Sequence, residues 1–487
     1  MKDMPSAKQQ HASVIHPGDF EAHRHWYPKA LNATIHPTVS FFLNLSTERM
    51  ISRYCHLHPK VNPTRLRELL AFRCRHFMWA GADLLNVTSA GGKRQLVVIE
   101  NNSCPSGQKS MPLLDETEEQ GGYRRLIEKC FLPFIGKRGL PKGQLAVIYD
   151  KDPTEPPGYA AAMADLTGEE VLLAPFYEND PDPPVRFQDG LMEIRTAEDT
   201  WVPVRAAFRY ITQRPWNRIP IQTKTRIFNP VLACIAGGRN KMVAAIAYEQ
   251  FNALEKPKGL KINTPETIWD VTKQDIPGIV KKMGGHAVVK VPYSNSGQGV
   301  FTIVNSRELE EFMAADFDYD RYIVQSLIGN YNWSSKGAGG KLYHVGTIPS
   351  KQGKTYVADI RMMVCSTEQG IRPLCVYARR TRKPLEDHIS DGTESWDMLG
   401  TNLSVKNADG SWGTDTNRLI LMDNKDFNRL GIGVDDLVEA FIQTVLSTIA
   451  IDQMADGLLN KQGRFRMKHF KTINNDKAFI KEMLPLT

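Results

Sequence analysis

Residues 287–304 read AVVKVPYSNSGQGVFTIV, and this stretch decides the fold. An apolar run ends at Lys290. A loop of small polar residues follows, with Ser294, Ser296, Gly297, Gln298 and Gly299, and a second apolar run begins at Val300. The pattern predicts strand, loop, strand. Small residues let backbone N–H groups approach phosphate oxygens, and a nest of such groups binds anions. A lysine on the adjoining strand adds a point charge for an α or β phosphate. A P-loop would instead spell GxxxxGK[ST] and lead into a helix, and that spelling does not occur here. A plain glycine hairpin with an exposed lysine has the same signature. The loop alone therefore indicates an anion at most.

Downstream, RYIVQSLI predicts a strand ending in a short linker. Gln325, Ser326, Leu327 and Ile328 would offer backbone N–H and C=O groups to an adenine edge, with apolar neighbours on the ring face. A core strand reads the same way. Between loop and linker, residues 306–315 predict a helix, and upstream TPETIWD reads as the start of another. VADIRMMVC and IRPLCVYARR predict two further strands, carrying Arg361 and Arg380. Arginines on buried strands need an anionic partner. A triphosphate or an acyl phosphate would serve, and so would an internal salt bridge. Asn402 follows in the polar loop GTNLSVK, within reach of the same site.

Much earlier, GADLLNVTSAGGKRQLVVIENNSCPSG predicts a hairpin turning at SAGGK. Asp83 lies on its first strand, Glu100 and Asn102 on its second. Alternation puts Glu100 and Asn102 on one face. Two carboxylates and one amide oxygen are hard ligands suited to magnesium. A polar strand end before a turn would look similar. Just before this hairpin, Asn62-Pro63-Thr64 opens a helix. Asn62 caps it, Pro63 takes the first turn, and the apolar spacing runs on to Phe77 and Met78.

The chain has 487 residues, 41% apolar and 24% charged, which suits two or three packed domains of a globular protein. Its net charge of +7 is spread along the chain. A nucleic-acid binder would concentrate it, so no nucleic-acid partner is expected. The seven cysteines form no CxxC pair, which points to free thiols in a reducing compartment. The first residues have no apolar leader run, and no segment reaches the roughly 18 apolar residues of a membrane span. A cytoplasmic protein without a membrane partner is expected.

The order of these motifs resembles the ATP-grasp superfamily of carboxylate–amine ligases, in its circularly permuted branch. Lys290, the loop 294–299, Gln325 to Ile328, Arg361, Arg380 and Asn402 match the middle of the family's series. Asp83, Glu100 and Asn102 match its metal-binding end, yet come first in this chain. Lys241, in AGGRNKMVAA, is similar to the family's first lysine. The resemblance implies an α/β (α+β) fold of permuted order, with the nucleotide held between two α+β subdomains and an open α/β domain alongside. Its expected divisions are an N-terminal wrapping segment to residue 62, a permuted segment over 63–135, a substrate domain over 136–260, and nucleotide-binding subdomains from 261 onward. It also implies ATP and Mg²⁺ (or Mn²⁺) as cofactors, and a small-molecule carboxylate and amine, such as amino acids or peptides, as substrates. A kinase of the same fold and a non-catalytic ATP binder share the motifs. Cys104, beside the expected metal site, reads as a packing residue.

Overall fold

The computed structural model describes residues 11–484, apart from 137–138, 152, 213, 295–296, 391 and 407–411. Three sheets position the site.

The first is an open α/β sheet. Gln144–Tyr149, Val171–Pro175, Trp201–Tyr210 and Arg226–Phe228 run parallel, and Ser13–Ile15 joins one edge antiparallel. The hairpin Val185–Gln188 and Leu191–Arg195 extends the other side. The central strands are apolar throughout because parallel strands are covered on both faces. Helix Glu155–Thr167 follows the first of them, buries Ala160, Ala161, Ala162 and Ala164, and ends at Gly168 in the left-handed conformation.

The second sheet is antiparallel and small, in the order Thr267–Val271, Tyr322–Ser326, Ala287–Lys290, Val300–Ile303. Lys290 pairs with Val300 on one side and Ile323 on the other. The glycine loop is thus the connection of a hairpin. The TIWD segment is a strand, not the helix expected. Thr267, Ile268 and Val271 are β-branched and pair with the linker strand, while Asp270 takes φ 59 at an irregularity in that pairing. The next helix is Ile276–Lys282.

The third sheet joins distant parts of the chain. Trp79–Ser89 pairs with Arg94–Asn102 on one side, and with Leu342–His344 and Ala358–Thr367 on the other. Gly370–Arg380 and Leu419–Ile420 complete it. Residues 79–102 thus share one sheet with residues 342–420. The 24-residue helix Val434–Gly457 packs beneath, buried nearly all round, which explains its lack of a polar face.

Helix Pro63–Leu70 opens as read, with Asn62 Oδ1 accepting the Arg65 N–H at 3.0 Å. It stops eight residues before Met78. The reason is Asp452 on the long helix, whose Oδ1 accepts the N–H groups of Arg75, His76 and Phe77 at 3.1, 2.7 and 2.8 Å. Those donors are withdrawn from any continuing helix, and Phe77 enters the core from an irregular strap. The N-terminal segment spreads over two of the sheets. Helices Pro37–Leu43 and Thr47–Leu57 pack on the long helix, and Trp26 buries its ring and donates to Met111 O at 3.1 Å. Among the described residues no helix is long and apolar enough to cross a membrane.

Candidate active site

The three sheets converge on a cavity of about 670 Å³, within the usual range for small-molecule sites. The acidic hairpin supplies one wall. Asp83 is the register partner of Glu100, and an irregularity between Asp83 and Leu84 admits Ile99 as an extra residue on the second strand. Asp83, Glu100 and Asn102 all line the cavity. The structure commits Asp83 to arginine. Its two oxygens accept from Arg361 Nε at 2.6 Å and Nη2 at 2.7 Å, and Arg379 Nη2 stands 2.9 Å away. Burial alone would raise the Asp83 pKa; the two guanidinium charges outweigh it and hold the carboxyl well below the usual range. Glu100 and Asn102 remain the oxygen donors facing the cavity without a bidentate arginine.

Arg361 and Arg379 belong to the hairpin Ala358–Thr367 and Gly370–Arg380. Asp359 pairs with Arg379, and Arg361 with Tyr377, so all four side chains share the cavity face. Arg379 also holds Asp359 through Nε at 3.0 Å and through Nη2. Arg361, Asp83, Arg379 and Asp359 thus alternate in charge along the wall. Arg380, expected in the site, points elsewhere. It stacks 4.8 Å from the Tyr356 ring and donates to Thr381 O. Strand alternation makes Arg379 the inward residue.

Lys290 is 4% exposed and lines the cavity, with Nζ 3.4 Å from Ile99 O. Burial pushes it down to about 8. Lys241 begins helix Lys241–Glu255, where Asn240 Oδ1 accepts the Val243 N–H. Its Nζ donates to Ser294 O at 2.6 Å and stands 3.7 Å from Glu100 Oε2. It faces an adjoining recess of about 270 Å³ that Glu100 and Lys290 also line. The two lysines therefore flank Glu100 and the root of the glycine loop.

Within the loop, Gly297 lines the cavity. It has φ +76, and a Cβ there would stand 3.1 Å from the Trp396 ring and 3.2 Å from Asn402 Nδ2. Gly299 has φ +97. Ser294, Gln298 and Gly299 lie off the cavity wall, and Ser296 falls outside the described residues. Asn402 lines the cavity and accepts the Ser404 N–H at 3.3 Å.

Gln325, Ser326, Leu327 and Ile328 all line the cavity. Leu327 packs with Val288 and Leu399, and Ile328 with Leu85 and Ile99, forming an apolar slot. Two of the linker's N–H groups are already used. Ser326 donates to Glu266 O at 2.8 Å and Leu327 to Ser335 Oγ at 2.7 Å.

Several lining residues were not anticipated from the sequence: Lys109, Lys151, Arg239, Asp359, Tyr377 and Arg379. Lys151 follows a parallel strand at its carboxyl end, where open α/β sheets bind ligands, and that signal was readable. Arg239 immediately precedes the cap of the Lys241 helix. Its Nη1 donates to Asn102 Oδ1 at 3.3 Å and its Nη2 to Cys104 Sγ at 3.0 Å. Cys104 is fully buried yet lines the cavity, with Lys151 Nζ 3.6 Å from its Sγ. Burial would raise its thiol, yet Arg239, Lys151 and Arg209 outweigh that and bring it down to about 6. In all, six cationic side chains and three carboxylates are described along the cavity, an excess of positive charge that suits an anionic ligand.

No family model matches the chain, and no curated protein does. Similar solved structures exist. A RimK domain ATP-grasp protein from Sphaerobacter thermophilus DSM 20745 is 15% identical, with a TM-score of 0.28 over 48% of this chain and 90% of its own. A glutathione synthetase-like effector from Globodera pallida is 10% identical, with a TM-score of 0.36 over 76% and 87%. D-alanyl-alanine synthetase A from Vibrio cholerae O1 is 12% identical, with a TM-score of 0.32 over 54% and 94%. At these values the likeness is to parts of a mixed α/β architecture, not to a chemistry.

Proposed function

We propose that this chain is an ATP-dependent ligase of the ATP-grasp type in permuted order, which activates a carboxylate as an acyl phosphate and joins it to an amine, releasing ADP. One observation carries the reading. Glu100 and Asn102, Lys290, the linker 325–328, Arg361 and Asn402 come from both ends of the chain, yet line a single cavity.

In this reading the apolar slot beside the linker takes the adenine. Lys290 and Lys241 neutralise the α and β phosphates, and the glycine loop covers the β and γ phosphates, its small residues permitting close backbone approach. Magnesium is usually held by one or two carboxylates together with substrate phosphates. Glu100 and Asn102 fit that donor set; Asp83 does so only if it leaves Arg361. Held there, such an ion would offset negative charge on the transferring group. Arg361, pinned by Asp83 and by a 3.4 Å contact to Ser106 O, presents a fixed guanidinium to the same space. Fixed charges cost no reorganisation during reaction. A carboxylate oxygen of the substrate attacks the γ phosphorus, and the bond to the ADP oxygen breaks. The amine nitrogen then attacks the acyl carbon, and phosphate leaves with the oxygen that bridged it. No side-chain nucleophile is required.

The commitment of Asp83 to two arginines favours a second reading, in which ATP is bound without turnover. Incubation with ATP, magnesium and pairs of amino acids separates the readings. The ligase reading expects ADP together with a condensed product by mass spectrometry. ADP with a phosphorylated product and no need for amine would mark a kinase, and bound ATP that stays intact would mark a sensor.

A further inference from the structure

Trp26, Trp79, Trp216 and Trp333 are buried. Trp396 is 39% exposed, more than any other described tryptophan, and it lines the cavity. A single exposed apolar side chain is ordinary on a protein surface. The way this one is held is not.

The short helix Ser395–Leu399 carries the ring and is tied to the strand that leaves the glycine loop. Ser395 Oγ lies 2.5 Å from Thr302 Oγ1 and donates to Glu308 Oε1 at 2.6 Å, and the Ser395 N–H donates to the same carboxylate oxygen at 2.9 Å. Two glycines leave room for the indole. A Cβ at Gly400 would stand 2.5 Å from Trp396 Cε2, and one at Gly297 would stand 3.1 Å from Cζ2. Gly400 has φ -79, which any residue adopts, so glycine is needed there for space and not for backbone freedom. The Gly400 N–H also closes back on Trp396 O at 2.7 Å. The ring is thus fixed along its edge while part of it stays open to the cavity.

Its position decides what it meets. Leu399 lies three residues on, on the same helix face, and packs with Leu327 in the apolar slot beside the linker. The opposite neighbour of the ring is Gly297. Trp396 therefore stands between the slot that takes the adenine and the loop that covers the β and γ phosphates. In a nucleotide, the ribose fills that interval. A ribose turns C–H groups outward on its faces, and a flat apolar ring covers such a face well. Exposed indole surface gains free energy when a ligand takes it out of water.

We propose that Trp396 is a nucleotide-binding residue that packs its open face on the ribose, so that helix Ser395–Leu399 forms a third wall of the nucleotide site beside the two sheets. This rests on the nucleotide reading of the cavity. Trp396 lies outside every motif that suggested the site, and its part is contact with the nucleoside, not chemistry.

Calorimetry of ADP with magnesium on the full-length protein, with acrylamide quenching of tryptophan emission alongside, tests this. Trp396→Ala should weaken ADP binding by about five- to tenfold, and Trp396→Phe, which keeps a flat apolar face, by less than about twofold. Both variants should unfold near the wild-type midpoint, because the ring is partly in water. Saturating ADP should shield part of the wild-type emission from acrylamide, and that shielding should shrink in Trp396→Phe, which retains every other tryptophan. Wild-type ADP affinity in Trp396→Ala, a Phe variant as weak as the Ala variant, or equal shielding in wild type and Trp396→Phe would overturn the proposal while leaving the nucleotide reading intact. A wild-type protein that binds no ADP would instead sink the nucleotide reading, and this proposal with it.

Discussion

At the scale of single residues, the site turns on which side chain faces inward. Arg361 and Arg379 share the cavity face, although an irregularity in the pairing between Met363 and Val364 leaves Leu374 as an extra residue between the two arginines. Counting from Arg361 around the turn does not reveal that bulge, and the sequence reading named Arg380 in place of Arg379. The consequence is measurable. Arg379→Ala would leave Asp359 buried without its partner and should cost about 3–5 kcal/mol of stability. Arg380→Ala, on the outer face, should cost below about 1 kcal/mol. Equal costs in denaturant titrations would contradict the register. Glu100→Gln removes the carboxylate that faces both lysines and the proposed metal. It should lower turnover by about 10²-fold or more and leave the unfolding midpoint close to wild type; wild-type ATP consumption would remove Glu100 from the site. Lys290 adds a pH dependence. Its charged form is penalised by burial, so in the free protein it loses its proton as pH rises through about 8. ADP affinity should then weaken above about pH 8, and Lys290→Arg should flatten that slope. An ADP affinity that does not change between pH 7 and 9 would contradict the role of Lys290.

At the scale of elements, the strand–loop–strand around Lys290 and the acidic hairpin with its SAGGK turn were legible, because alternation and turn chemistry act locally. Two misreadings share a cause. The helix from Pro63 ends early because Asp452, nearly 400 residues downstream, takes the N–H groups that would continue it. TIWD becomes a strand because the linker strand is there to pair with it. Neither partner is visible in a local window. The C-terminal helices Met467–Ile473 and Lys477–Met483, silent in the sequence, prove to support the glycine loop. Phe479 stacks on Tyr293 at 4.0 Å between ring centroids, and the Tyr293 hydroxyl donates to Asn474 Oδ1 at 3.0 Å. Tyr293 immediately precedes Ser294, whose carbonyl Lys241 holds. Phe479→Ala, a deletion worth about 3–5 kcal/mol in a packed site, should loosen that root and weaken ADP binding several-fold without touching the cavity. Unchanged ADP affinity in that variant would detach the tail from the loop.

At the scale of the molecule, the third sheet is the decisive feature. It pairs residues 79–85 with residues 359–365 over seven register partners, and so carries Glu100 and Asn102 to Arg361. The motifs along the chain suggested that meeting through their order; composition and spacing alone would have left an anion-binding loop and an unrelated acidic hairpin. Lys109 was hidden because it sits in the short turn Gln108–Ser110, which has no pattern of its own. The central claim is that a carboxylate is activated by phosphoryl transfer. It is tested most directly by following oxygen. With a carboxylate substrate labelled with ¹⁸O in the reacting group, an amine, ATP and magnesium, the released phosphate should carry one ¹⁸O for each condensed product formed. Phosphate free of label, accompanied by ADP, would contradict the account.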